Sequence, residues 1–267
     1  MNAEEFKLLS LRALFFRAWQ SFFMIAFLMV FSTVVSADQA ENKPFAVIEL
    51  FSSEGCSSCP SADLLVSKLT AWARQNKLAV YPLIFHVDYW NNLGWRDVFS
   101  NSAFTQRQNN YARIFKDQGV YTPQMVVNGS DSFVGSDQEQ LQKDLDRELS
   151  MPADVILHVS LKKQNGQITV TYSADGFSTG DVVNIALVER GLTTEVTAGE
   201  NAGRMLHHDN VVREFQTLPL TAIVSQVEIP LNRISDPAQS SVIVYVQNPQ
   251  TMLIEAAKQV DLKDDGS

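Results

Sequence analysis

The stretch from Phe45 to Trp72, FAVIELFSSEGCSSCPSADLLVSKLTAW, holds both cysteines of the chain, Cys56 and Cys59, with two residues between them. Phe45 to Phe51 is a continuous apolar run of strand length, interrupted only by Glu49, and suits a strand buried on both faces. A turn follows at Ser52 to Gly55, and Leu65, Leu69 and Trp72 then recur at helical spacing. Strand, turn, cysteine pair and helix therefore come in that order, with Cys56 expected at the helix N-terminus. Unpaired N–H groups and the positive end of the helix dipole favour a thiolate there, and the thiolate is the nucleophile in disulfide exchange. Cys59 is placed to close a disulfide with Cys56 or to resolve a mixed one. Ser57 and Ser58 are small enough to donate hydrogen bonds to sulfur, and Pro60 falls in the first turn, where its missing N–H costs little.

Other uses of the pair compete with redox chemistry. A structural disulfide across two residues closes too short a loop to remove much chain entropy. Structural zinc needs four Cys or His ligands, but there is no second cysteine pair and His86, His158, His207 and His208 are scattered. A soft metal held by the pair with His86 stays open.

Residues 1 to 20 carry Lys7, Arg12 and Arg17, and an apolar run from Phe22 to Val35 ends in Val35-Ser36-Ala37. Residues 1–37 thus read as a signal peptide. The run is shorter than the roughly 20 residues that span a bilayer. Export supplies an oxidising compartment, the periplasm, in which a cysteine pair persists as a disulfide. Cleavage after Ala37 would take the net charge from −9 to −10, with no basic run, which argues against nucleic acid or an anionic membrane as partner.

Leu78 to Val87 is a second buried strand, parallel to the first. Its C-terminal end should border the same crevice as Cys56, together with the loop DYWNNLGWRD from Asp88 to Asp97. Trp90 and Trp95 in that loop are candidates for a substrate groove, or else cover the sheet edge. His86 reads as a structural histidine and Asp88 as a cap. A helix is expected from Ser102, with Phe104, Tyr111, Ala112 and Phe115 on one face and Gly119 as C-cap. Thr122-Pro123 precedes a hairpin of Met125–Val127 and Ser132–Val134, turned at Asn128-Gly129. Ser136 and Glu139 read as a capping box for a helix lined by Leu141, Leu145 and Leu149. Glu49 is a candidate proton relay with a raised pKa, or a strand-edge residue facing solvent.

The order of elements, CSSC at the first helix and Thr-Pro before the third strand resemble the thioredoxin fold over residues 44–150. More closely, ELFSSEGCSSCPSAD, FHVDYWNNLGW, YTPQMVVNG, GENAGRMLHHDNVVREF and YVQNP resemble the secreted family known as domain of unknown function 1223. The resemblance implies a thioredoxin-like core with Cys56 and Cys59 as its pair and a cis peptide bond before Pro123. The Ser-Ser dipeptide departs from the Gly-Pro of thioredoxin, which leaves the direction of electron flow open.

Past Ser150 the pattern changes to period two. Val155, Leu157, Val159 and Leu161 alternate with polar residues, Asn165-Gly166 turns the chain, and Ile168, Val170 and Tyr172 alternate back. Further runs at Val182–Val188, Val211–Phe215, Ile223–Ile229, Val242–Val246 and Met252–Val260 predict an all-β, sandwich-like domain over 152–264. Gly199 to Asn210 reads as a polar loop folding back onto the first domain. Its adjacent histidines would point to opposite faces of a strand and make a poor chelate.

The sequence thus describes an α/β thioredoxin-like domain followed by a sandwich-like one. The expected activity is that of an exported thiol:disulfide oxidoreductase needing no cofactor or metal. Cys56 attacks, Cys59 resolves, and Thr122, Pro123, Trp90 and Trp95 bind a thiol- or disulfide-bearing protein or redox partner. The alternatives are a binding or copper-handling module and an interaction scaffold with an inert disulfide.

Overall fold

The computed structural model describes residues 42–221 and 223–262, which fall in one compact unit. The segment read as a signal peptide lies outside the described residues. Among those described, no helix is long and apolar enough to cross a membrane.

The first half runs β1 (Ala46–Ser52), α1 (Cys59–Asn76), β2 (Val80–His86), α2 (Ser102–Phe115), β3 (Gln124–Val127), β4 (Asp131–Val134) and α3 (Gln138–Glu148). The second runs β5 (Ile156–Gln164), β6 (Gln167–Asp175), β7 (Val182–Glu189), β8 (Leu192–Val196), β9 (Arg204–His208), β10 (Val211–Pro219), β11 (Ser225–Pro230), β12 (Ser240–Gln247) and β13 (Ile254–Asp261). Eight strands form one mixed sheet in the order β13-β12-β7-β10-β2-β1-β3-β4, beside a three-stranded sheet β11-β6-β5 and the hairpin β8-β9. The large sheet takes strands from both sides of the boundary expected near residue 151.

β1 and β2 are parallel, in register from Ala46↔Val80 to Ser52↔His86, so their C-terminal ends lie side by side. β3 runs antiparallel to β1 and pairs with β4 as the expected hairpin. The sheet crosses into the second half where β10 pairs with β2 at Val211↔Ile84. That short contact is reinforced by Ile84 N donating to Asn210 O at 2.9 Å and Asn210 Nδ2 to Pro82 O at 2.8 Å.

Alternation of side chains decides the layers. Ile48 and Leu50 of β1 pack with Ala62, Val66 and Leu69 of α1 and Leu141 of α3, whereas Val47 and Phe51 face α2 through Phe104 and Tyr111. At the other end Val183, Ile185, Val242 and Val244 pack on Ile168 and Val170 of the three-stranded sheet. The buried stripe of α1 is Cys59, Ala62, Asp63, Val66, Leu69, Thr70 and Ala73, a rotation from the expected Leu65–Leu69–Trp72 line that brings Asp63 inward.

Two end signals shift and one expected loop is partly strand. Lys116, in the left-handed region at φ 59°, terminates α2 in place of Gly119. Asp137 rather than Ser136 caps α3, its carboxylate accepting Gln140 N–H at 2.9 Å, because Asp caps as well as Ser and lies one residue closer. Five of the twelve residues of the supposed loop at 199–210 form strand β9, paired with β8, which has few apolar residues to betray it.

Glu49 neither faces solvent nor stands free. It is fully buried in a bidentate pair with Arg107, whose Nη2 donates to Oε1 at 2.6 Å, and Tyr245 Oη donates to the same oxygen at 2.6 Å. Phe85, Tyr111, Phe215 and Tyr245 surround the guanidinium, with ring centroids 5.1–5.7 Å away. Removing one member of such a pair leaves an uncompensated buried charge. Arg107→Ala is therefore expected to lower stability by about 3–5 kcal/mol in denaturant unfolding. The same change in a Glu49→Gln background is expected to cost less, since the remaining amide needs no cation.

Candidate functional site

β1 ends at Ser52 and the chain turns through residues 53–58 before α1 begins at Cys59. Cys56 N donates to Ser53 O and Cys59 N to Cys56 O, each at 3.2 Å, so consecutive turns bring the sulfurs together. Cys56 and Cys59 are joined by a disulfide, with Cα atoms 5.4 Å apart. Cys59 is the first helical residue and Cys56 sits in the turn that leads into it, two residues before the N-cap Ser58 rather than at the helix N-terminus. Ser58 Oγ lies 3.4 Å from Cys56 Sγ, the hydroxyl-to-sulfur contact that the Ser-Ser spacer allows.

The second wall is the Thr122-Pro123 peptide, which is cis. Thr122 O lies 3.8 Å from Cys56 Sγ. Gly135 makes this approach possible, because a Cβ there would meet Leu50 Cδ1 at 2.6 Å and Pro123 Cβ at 3.0 Å. The aromatic loop completes the rim. Trp90 Nε1 donates to Thr122 Oγ1 at 2.8 Å, and Trp95 Nε1 donates to Glu54 Oε2 at 2.9 Å. Both half-buried tryptophans thus border the cysteine turn, as the parallel pairing of β1 and β2 predicts.

The β8–β9 connection forms a cover. Asn201 Nδ2 donates to Glu54 O at 2.8 Å and Cys56 O at 3.0 Å, and the exposed Glu200 accepts Ser57 N–H at 2.9 Å. Gly199, at φ +75°, lies against Trp95, whose Cβ would be 3.1 Å from any added Cβ. Cys56 is consequently only 1% exposed and Cys59 0%, so neither sulfur is open to solvent in the oxidised state.

Behind the turn lies a buried group of charges that only the fold assembles. His208, the last residue of β9, bridges two carboxylates, with Nδ1 3.1 Å from Asp63 Oδ2 and Nε2 3.4 Å from Glu54 Oε1. Asp63 also accepts Ser52 Oγ–H at 2.7 Å. His86 Nδ1 lies 2.6 Å from Asp97 Oδ2, which in turn accepts Glu54 N–H at 2.8 Å. The two imidazoles stand nearly perpendicular with centroids 5.0 Å apart. Burial disfavours a charged His208, but its hydrogen bond with Asp63 and the charges of Asp63 and Glu54 outweigh it and raise its pKa to about 10. Burial also works against an ionised Asp97, yet the neighbouring His86 and the backbone N–H donors hold it below the usual carboxylate range.

Of the residues expected at the site, Cys56, Cys59, Thr122, Pro123, Trp90 and Trp95 come together, while the hydrogen-bond partners of Glu49 are Arg107 and Tyr245. His86 is tied to Asp97, and His207 and His208 point to opposite faces, exposed and buried. Among the described residues no group of His, Cys, Asp and Glu is arranged to hold a metal ion. Glu54, Asp63 and Asn201 escaped the sequence reading. The one signal for Asp63 is its position four residues after Cys59 on the same helical face.

Residues 47–247 match the family model described as protein of unknown function DUF1223. No curated protein matches the chain. Among solved structures, a protein from Agrobacterium tumefaciens is 27% identical with a TM-score of 0.62, the alignment covering 84% of this chain and 97% of that one. A DUF3823 family protein from Bacteroides ovatus (16% identity, 42% of this chain, 55% of that one, TM-score 0.28) bears no weight. The same holds for a domain of the outer membrane lipoprotein Omp28 from Porphyromonas gingivalis (16%, 41%, 88%, 0.23).

Two outcomes follow from this geometry. The folded pKa of His208 lies above its ordinary 6.5, so its stabilisation is complete below about pH 6.5 and is lost as pH rises through about 10. Thermal unfolding from pH 6 to 10.5 is expected to show this loss, and His208→Gln to remove that alkaline decline. Asn201→Ala is expected to speed reduction of the disulfide by a water-soluble phosphine several-fold, read by thiol titration.

Proposed function

The chain belongs to the DUF1223 family, and for it we propose the activity of an exported thiol:disulfide oxidoreductase working through Cys56 and Cys59. The observation that carries the reading is the bonded cysteine pair at the start of α1, with the Thr122 carbonyl 3.8 Å from Cys56 Sγ. An extended chain laid beside Thr122 would present a disulfide to Cys56. The thioredoxin-like arrangement of residues 44–150 supplies the pair and the wall, and Trp90 and Trp95 offer aromatic surface to a thiol- or disulfide-bearing protein or redox partner. The sandwich-like segment, 152–264, contributes the hairpin that governs access. Residues 1–37 direct the chain to the periplasm, where the disulfide persists.

In the first step the Cys56 thiolate attacks a substrate disulfide, forming a Cys56–substrate bond and releasing one substrate thiolate. In the second Cys59 attacks Cys56 Sγ, closing the enzyme disulfide and releasing the other. Two electrons pass from the cysteine pair to the substrate, and the reverse sequence oxidises a dithiol.

Burial of both sulfurs favours a second reading, an interaction scaffold with an inert disulfide. Trapping separates the two. Cys59→Ser is expected to accumulate covalent adducts through Cys56 that dithiothreitol releases, and Cys56→Ser to accumulate none. Absence of adducts from both, with a wild-type disulfide that resists reduction, would establish the scaffold instead.

A further inference from the structure

Buried polar atoms are almost always hydrogen-bonded, and exceptions gathered in one place ask for a reason. Seven side-chain atoms of the described residues are buried without a hydrogen-bond partner, and three of them, Glu54 Oε1, His86 Nε2 and His208 Nε2, belong to the cluster behind the cysteine turn. Glu54 Oε1 and His208 Nε2 stand 3.4 Å apart, at ion-pair distance but not hydrogen-bonded. Such a pair can tighten or loosen as a proton arrives or leaves.

The placement of the cluster connects it with the cysteines on both sides. Glu54 precedes Cys56 by two residues. Asp63 follows Cys59 by one helical turn on the same buried face, a spacing that puts Cβ atoms about 5–6 Å apart. His208 joins the two carboxylates. The other charged or titratable groups near its ring are His86, in edge contact, and Asp97 behind His86; Arg213 stacks on Phe99, which packs on the same ring. Glu49 is withdrawn from this work by Arg107 and Tyr245.

We propose that Asp63, positioned by His208 and backed by Glu54, accepts the proton of Cys59 when Cys59 resolves the mixed disulfide. The step rests on the oxidoreductase reading above. Cys59 transfers its thiol proton to the Asp63 carboxylate while its sulfur lone pair forms the bond to Cys56 Sγ. The bond between Cys56 Sγ and the substrate sulfur breaks, and the substrate leaves as a thiolate with that electron pair. The proton is shared within the Asp63–His208–Glu54 cluster and passes to solvent. In reverse, the cluster returns a proton to the Cys59 thiolate set free when the disulfide opens. Asp63 is the acceptor and His208 a positioning residue.

The test is stopped-flow exchange of the reduced protein with a peptide disulfide, following formation and decay of the mixed disulfide between pH 5 and 9. For Asp63→Asn, which preserves shape and the Ser52 contact, the decay is expected to slow by about a hundredfold near pH 6.5, the typical worth of a general base. Its pH profile should move up towards the pKa of a free thiol, about 8.5. Formation, measured in a Cys59→Ser background, is expected to keep its rate. An unchanged decay profile in Asp63→Asn overturns the assignment and leaves the oxidoreductase reading standing. A wild-type protein that forms no mixed disulfide overturns both. Imidazole titration of His208 by NMR in the wild-type protein needs no variant to fold. Its midpoint is expected to differ between oxidised and reduced states, and identical titrations would sink the proposal.

Discussion

The pairing of β10 with β2 at Val211↔Ile84 is the contact from which the rest of the site follows. It is short, and its hold comes from Asn210, which adopts the left-handed conformation at φ 55° and reaches Pro82 O with its side chain. His208 is two residues upstream of Asn210, so fixing this bridge fixes the end of β9 behind the cysteine turn. The β8–β9 connection is then close enough for Asn201 to bind the carbonyls of Glu54 and Cys56. Backbone register in the middle of the sheet thereby sets a polar arrangement at its edge.

The cost of that arrangement is substantial. Three carboxylates and two imidazoles are almost fully buried beside a disulfide, and such ions are tolerated only when their partners are well placed. Asp97 shows how this is met, with one oxygen taking the His86 ring and Glu54 N–H and the other taking Phe99 N–H. The Glu54–His208 side is less completely satisfied. Contrast the Glu49–Arg107 pair, where Tyr111, Tyr245 and Gln247 close the remaining valences inside an aromatic shell. One cluster has its valences closed and the other keeps unspent hydrogen-bonding capacity beside the disulfide.

Local signals carried the first half of the chain well. The strand before Cys56, the hairpin after Pro123 and the tryptophan loop at the strand ends could be read because each depends on neighbours in sequence. Burial of Glu49 could not, since its partners Arg107 and Tyr245 lie 58 and 196 residues away. The cover over the cysteines was legible only as a polar stretch that should fold back, for the link from Asn201 to Cys56 spans 145 residues. β8 and β9 escaped because LTTEV and RMLHH pack one face only in part and carry no clear alternation. The caps at Lys116 and Asp137 were displaced where equally good residues stood nearby, a competition that propensity alone does not decide.

His208 belongs to the second half of the chain, yet it is the partner of Glu54 and Asp63 in the first. Cut at the boundary near residue 151, the cysteine-bearing segment would retain two buried acids with no imidazole between them and an uncovered turn. The segment is therefore not a portable cassette. Recombination that moved it alone into another protein would carry the sulfurs without the imidazole and the amide that surround them here, which ties the inheritance of one half to that of the other.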